Sequence, residues 1–279
     1  MKFTKMHGLG NDFVFLDYFS SGKPDLDFPG LAVTLCNRYF GIGGDGLVLM
    51  LPSSVAHARM QIMNSDGSEP EMCGNAIRCF AKYLFERGLV TENPMKVETL
   101  SGILTLSLKI RDGVVESVTV DMGEPILKPE LVPTTGSGEM ILSQPLIAGD
   151  REYLITAVSM GNPHCITFVD NVNDVPLQEI GPKLETHDFF PRNTNVEFVQ
   201  VVDREEVIMR VWERGAGPTL ACGTGACATA VACVLNGKTE RKVKVRLPGG
   251  DLHIEWGEDN HLYMTGPAAE VFEGELKLI

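Results

Sequence analysis

The sequence contains no run of about 18 apolar residues, the length a membrane-spanning helix needs, and the opening MKFTKMHGLGNDF lacks the apolar stretch of a secretory signal. A soluble, cytoplasmic protein with no membrane partner is expected. Basic residues are scarce. Twenty-four Lys and Arg stand against 37 Asp and Glu, a formal charge of −13, so the surface should repel a phosphate backbone, and nucleic acid is not an expected partner. Paired cysteines are also missing. The seven cysteines (36, 73, 79, 165, 222, 227, 233) are an odd number, no two are separated by two residues, and none has a histidine at ligand spacing on a shared helix. Neither a disulfide framework nor a metal site is expected, and a thiol-redox or metal-binding module would rest on cysteine number alone.

A hydrophobic content of 44% is enough to fill a core. Apolar alternation predicts strands near 2–7, 13–18, 46–51, 58–64, 95–99, 102–111 and 113–122, with helical patterning at about 29–40 and 74–87. Residues 123–145 carry four prolines and TTGSGE and read as a loop-rich connection. The same order then restarts, with strands near 151–160, 164–169, 196–202, 206–213, 242–247, 251–256 and 261–265 and helices near 175–186 and 223–236. EVFEGELKLI, at 270–279, alternates like a further strand. GIGGDG at 41–46 matches G-x-G-x-x-G, but a helix-like segment precedes it and LVLML follows. A pyrophosphate loop leads from strand into helix, so nucleotide binding is not expected.

Matched local sequence strengthens the repeat. GNDFVFLD at 10–17 pairs with GNPHCITFVD at 161–170, an offset of 151. NSDGSEPEMCGN at 64–75 pairs with ERGAGPTLACGT at 213–224, an offset of 149 that sets Cys73 on Cys222 and Asn64 on Glu213. VETLSGILTLSL at 97–108 pairs with VRLPGGDLHIEW at 245–256, an offset of 148. Two copies of one fold usually pack about a pseudo-two-fold axis, which would set Cys73 and Cys222 opposite one another.

Each of these cysteines precedes a predicted helix that opens Gly74-Asn75 or Gly223-Thr224. Unpaired backbone N–H groups and the positive helix end there should lower a thiol pKa and cradle a carboxylate. Inverting a stereocentre requires a proton to leave one face of a carbon and another to arrive at the opposite face, which a facing thiolate and thiol can do. Two helix N-termini aimed at an amino acid's carboxylate would stabilise the charge that develops there, without pyridoxal phosphate. Glu213 suits an ammonium and Arg214 a second carboxylate. Asn11 and Asn162 form an equivalent pair able to supply neutral hydrogen bonds, or simply turn residues.

KMHGLGNDF (5–13), NSDGSEPEMCGNAIRCFA (64–81), SMGNPHC (159–165), ERGAGPTLACGTGACA (213–228), LPGG and YMTG (247–250, 263–266) together resemble diaminopimelate epimerase along the whole chain. The resemblance implies interconversion of LL- and meso-2,6-diaminopimelate, on the route to lysine and peptidoglycan, by two cysteines without metal or cofactor. It implies an α+β fold of two similar pseudo-two-fold-related domains, each a strongly curved, mostly antiparallel sheet around a central helix. The halves would be 1–121 plus 267–279, with Cys73, and 122–266, with Cys222; a homodimer is implied as well. Matched residue by residue, Cys73 and Cys222 are the acid/base pair, and Gly74, Asn75, Gly223 and Thr224 the carboxylate cradle. Glu213 lies near the reacting amino group, Asn11 contacts substrate, and Arg214, Asn64, Asn162 and Asn195 hold the distal end or close the site. The motif also makes His164 catalytic, where its residue type alone suggests only a core or hydrogen-bonding histidine. Gly46 departs from the pattern, since some members have glutamine there. A proline racemase of the same fold is the alternative; proline has no second charged end for Arg214 and the asparagines to hold.

Overall fold

The computed structural model describes residues 1–277. The described residues divide into two compact units, residues 1–121 with 265–277 and residues 122–264. The last two residues of the segment read as a C-terminal strand, Leu278 and Ile279, lie outside the described residues.

The first unit contains β1 (Lys2–Gly8), β2 (Asn11–Asp17), α1 (Phe28–Cys36), β3 (Gly46–Leu51), β4 (Ala58–Asn64), α2 (Gly74–Glu86), β5 (Met95–Thr99), β6 (Gly102–Arg111), β7 (Val114–Asp121) and a final strand, Ala269–Glu275. Asp27 starts α1 by accepting from the Gly30 N–H at 3.1 Å, with Pro29 in the first turn. The helix is shorter than its apolar pattern predicts. The Asn37 side chain accepts from the N–H groups of Tyr39 and Phe40, both at 2.9 Å, and turns the chain out of the helix. GIGGDG leads from that turn into β3, and no strand-to-helix loop forms there.

In the second unit, β8 (Ile141–Ala148), β9 (Arg151–Ser159), β10 (Pro163–Phe168), α3 (Leu177–Glu185), β11 (Asn195–Val201), β12 (Glu206–Glu213), the two-residue β13 (Gly217–Pro218), α4 (Gly223–Leu235), β14 (Lys242–Leu247) and β15 (Gly250–Trp256) follow in order, and β16 (Leu262–Gly266) runs across its end at residue 264. The connection read as loop through 145 already contains the start of β8. This strand escapes the alternation pattern because a bulge between Ile141 and Gln144, with Ser143 at φ 49°, breaks its period, and Pro145 interrupts it.

The two units share one pairing plan. In the first, the final strand pairs antiparallel with β1, and the order onward is β1–β2 antiparallel, β2–β3 parallel, β3–β4 antiparallel, β4–β5 parallel and β5–β6 antiparallel. In the second, β8–β9 and β9–β10 are antiparallel, β10–β11 parallel, β11–β12 antiparallel, β12–β14 parallel and β14–β15 antiparallel. Each parallel step needs a crossover, supplied by α1 and α2 in one unit and by α3 and α4 in the other. The fold is α+β.

The second crossover helix of each unit is enclosed. Every residue from Gly74 to Leu84 of α2 is buried, and the helix packs on β1, β2, β6 and β7. Small residues dominate α4 (GTGACATAVACVL), letting β9, β10, β11, β12, β14 and β15 approach it closely. No helix among the described residues is long and apolar enough to cross a membrane.

Several cysteines are core residues, and burial raises their thiols: Cys36 to about 11, Cys79 and Cys233 to about 12. An unfolded chain ionises these groups near 9. Above that pH the unfolded state binds fewer protons than the native one, so stability that is complete below pH 9 is lost as pH rises toward 12. Each thiol contributes a slope of about 1.4 kcal/mol per pH unit in that window. The urea midpoint should therefore fall between about pH 8 and about pH 10.5, and less steeply in Cys79→Ala; equal midpoints would contradict this.

Candidate active site

Cys73 is the N-cap of α2, in an extended conformation at φ −136°, ψ 115°. Its thiol donates to Asn11 Oδ1 at 3.7 Å, and Asn75 Nδ2 donates to the same oxygen at 3.0 Å. Asn11 Nδ2 in turn donates to Asp45 Oδ2 at 2.7 Å. Cys73, Gly74, Asn75 and Asn11 are thus brought together at the open end of α2. Behind them Arg38 bonds both Asp45 and Asp12 at 2.7 Å, and buried Lys5 pairs with Asp12 at 2.5 Å. Burial opposes ionisation of Asp12, but Arg38 and Lys5 outweigh it and hold the carboxyl below its ordinary value. On the helix side, fully buried Arg78 donates to Gly74 O and Asn75 Oδ1, each at 2.9 Å, and to Pro267 O at 3.2 Å. Asn75 is therefore oriented from both sides. Asn64, at the end of β4, donates to Ser68 Oγ at 2.9 Å.

Gly46 opens β3 between Phe13 and Asn64. A Cβ there would lie 2.7 Å from the Met63 carbonyl oxygen and 3.3 Å from the Phe13 ring. Gly46→Ala should destabilise the first unit by about 1–3 kcal/mol, read from the urea midpoint, because backbone must move. A midpoint equal to that of the unaltered chain would show that the space is available.

The second unit repeats the arrangement with different side chains. Cys222 caps α4 at φ −121°, ψ 111°, and its sulfur accepts from the Gly225 N–H at 3.4 Å. Thr224 Oγ1 lies 3.6 Å from that sulfur, and Asn162 Nδ2 donates to the hydroxyl at 3.3 Å. Asn162 Oδ1 lies 3.0 Å from His164 Nε2, and His164 Nδ1 lies 2.7 Å from Glu197 Oε1. Glu213 accepts from the Thr219 hydroxyl. Buried Asn195 donates to Pro163 O at 2.9 Å and accepts from the Arg214 N–H at 2.9 Å, fixing the loop after β12. The Arg214 side chain is exposed and donates to Arg192 O at 3.2 Å.

One expectation is corrected. A helix N-terminus should lower a thiol pKa, yet the Cys222 thiol is pushed well up, because burial comes first and the carboxylates of Glu213 and Glu197 add to it. The bonds from Thr224 and Gly225 oppose this without overcoming it. Burial and the two carboxylates thus disfavour the thiolate at Cys222. Burial likewise raises the Glu213 carboxyl, assisted by Glu197 and opposed by Thr219.

Glu197 and Arg78 were missed by sequence reasoning. A charged residue inside VEFV, an otherwise apolar strand, and an arginine in the middle of a helix buried from Gly74 to Leu84 are the signals that could have found them. Among the described residues no group of three or more His, Cys, Asp or Glu side chains is placed to hold a metal ion.

The fold is shared with solved structures of low sequence similarity. The Bacillus anthracis phenazine biosynthesis protein of the PhzF family aligns with a TM-score of 0.73 at 18% identity, covering 100% of this chain and 99% of that one. A hydroxyproline epimerase from Agrobacterium vitis, solved with trans-4-hydroxy-L-proline, aligns with a TM-score of 0.69 at 16% identity, covering 98% and 91%. Sequence similarity narrows this further. The diaminopimelate epimerase of Desulfitobacterium hafniense is 61% identical over 277 residues, 99% of this chain and 98% of that protein. The family model for diaminopimelate epimerase matches residues 3–128 and 156–271, spans that include both capping cysteines and the side chains bonded to them. The chain belongs to the diaminopimelate epimerase family.

Proposed function

We propose that this chain is a cofactor-independent epimerase that interconverts LL- and meso-2,6-diaminopimelate in the cytoplasm, and that Cys73 and Cys222 are its acid/base pair. The observation that carries this reading is the shared pairing plan, with a cysteine as N-cap of the equivalent helix in each unit. One sulfur removes the α-proton as thiolate while the other delivers a proton to the opposite face, and the roles exchange in the reverse direction. The N–H groups of Gly74 and Asn75, with those of Gly223 and Thr224, hold the α-carboxylate and stabilise the negative charge that develops on it. Glu213 receives the ammonium beside the reacting carbon. Asn11 and Asn162 contact substrate while aligning their own cysteine's helix turn, and His164 acts from the second unit's side. Asn64, Asn195 and Arg214 serve the distal amino acid end. The protein works as a homodimer, which light scattering tests by giving twice the chain mass.

The test of the reaction is α-hydrogen exchange in heavy water. Solvent deuterium should enter LL-diaminopimelate and leave proline unlabelled. Label in proline alone would favour the racemase reading, to which the hydroxyproline epimerase contributes only a shared fold. Arg214→Ala should raise KM for diaminopimelate by about tenfold or more while changing kcat less, as expected for a residue binding a remote carboxylate. An unchanged KM would remove Arg214 from the binding set.

A further inference from the structure

A glutamate that no role yet uses lies at the centre of the second unit. Glu197 is fully buried on β11, flanked by buried Val196 and Phe198, and its strand packs on α4. A carboxylate on such a face is costly unless it is bonded, which marks the position as functional. One oxygen, Oε1, takes His164 Nδ1 at 2.7 Å; the other, Oε2, is buried with no hydrogen-bond partner among the described residues. Oε1 also lies where Gly225 would carry a side chain, since a Cβ there would be 2.6 Å away. Gly225 is in the first turn of α4 and donates its N–H to the Cys222 sulfur. From the opposite side of the ring, His164 reaches Asn162, Asn162 reaches Thr224, and Thr224 lies beside the same sulfur.

We infer that Glu197 is a positioning residue of the epimerase: its carboxylate fixes the ring of His164 in the Nδ1–H form and seats the first turn of α4, and so aims the thiol of Cys222. A carboxylate oxygen accepts, so the bonded ring nitrogen Nδ1 carries hydrogen, while Nε2 faces Asn162 Oδ1, itself an acceptor, and bonds it only by carrying a hydrogen of its own or with the Asn162 amide turned over. The titratable groups around the carboxylate are His164 and Cys165 from β10, Glu213 from β12 and Cys222 at the start of α4. Its charge also disfavours a second negative charge at Cys222.

Three variants separate these effects. Glu197→Gln keeps an acceptor oxygen but removes the charge, Glu197→Ala removes both, and Gly225→Ala pushes on the carboxylate from the helix side. With Glu197→Gln, site-resolved iodoacetamide labelling should show Cys222 reacting from a pH about half a unit or more lower than in the unaltered protein. Histidine ¹⁵N spectra should show the Nδ1–H form of His164 retained with Gln and lost with Ala. In the epimerase assay all three variants should lose kcat by about tenfold or more, with KM changed much less, as for a group acting through another. Alanine is the better helix former, so a kcat loss in Gly225→Ala without a loss of melting temperature separates misplacement from unfolding. An unchanged labelling onset with Gln, an unchanged His164 spectrum with Ala, or kcat per folded molecule equal to that of the unaltered protein would overturn the assignment. Only the kinetic arm rests on the epimerase reading. Absence of α-hydrogen exchange in the unaltered protein would defeat that reading, while the labelling and ¹⁵N arms would still test Glu197.

Discussion

Cys73→Ala and Cys222→Ala should each lower epimerisation of diaminopimelate by about 10³-fold or more, with the fold intact. The expectation of intact folding follows from what each sulfur does structurally. Cys73 makes no side-chain cap bond to its helix, and Cys222 accepts one long bond from Gly225, so alanine removes little from either helix start. Chemistry has no such tolerance, because inversion needs a proton taken from one face and given at the other, and neither partner can do both. The double variant should therefore be hardly worse than either single one, the non-additivity expected of residues acting as a unit. Circular dichroism and melting temperature check the fold, and a coupled assay checks turnover. A single variant that retains more than about a tenth of kcat would defeat the two-base mechanism.

The second large effect is on stability. Arg78→Met should destabilise the first unit by about 3–5 kcal/mol, measured by urea unfolding, although methionine fills most of the space. The guanidinium is fully buried and supplies donors to Gly74 O, Asn75 Oδ1 and Pro267 O. Leaving buried oxygens without these donors costs about 1–3 kcal/mol for each group, which a gain in apolar contact does not offset. Activity should fall as well, because Asn75 loses the bond that opposes its contact with Asn11. A midpoint within about 1 kcal/mol of the unaltered chain would show that these oxygens find other donors.

Most strands and the four α-helices of the described residues were legible as hydrophobic periodicity, since a strand half-facing a core alternates and a helix in a curved sheet keeps its apolar positions. The legible part failed where local chemistry overrode period: Asn37 ended α1 early, and the bulge at Ser143 with Pro145 hid β8. The site divides along similar lines. Cys73 and Cys222 were visible because a repeated Cys-Gly before a helix has a local meaning, and the structure makes both of them N-caps. Arg78 was overlooked although Gly74 and Asn75 lie only four and three residues before it. Glu197 was invisible because its partner comes from another strand, and no local spacing records that His164 and Glu197 meet on neighbouring parallel strands. The direction of the Cys222 shift was misread for the same reason, since the helix end is local and the two carboxylates are not.

The pairing of the final strand with β1 has a consequence for biosynthesis. Residues 122–264 form the second unit from one continuous stretch, whereas the first unit needs residues 265 onward to finish its sheet and to give Arg78 its bond to Pro267. A ribosome adding about 5–20 residues per second spends roughly 7–30 s on the intervening stretch, during which the outer edge of β1 has no neighbour. An unpaired strand edge can template pairing with another nascent chain. Slow translation of the middle of the gene would therefore lower soluble yield by lengthening the time that this edge stays open, even with every amino acid unchanged.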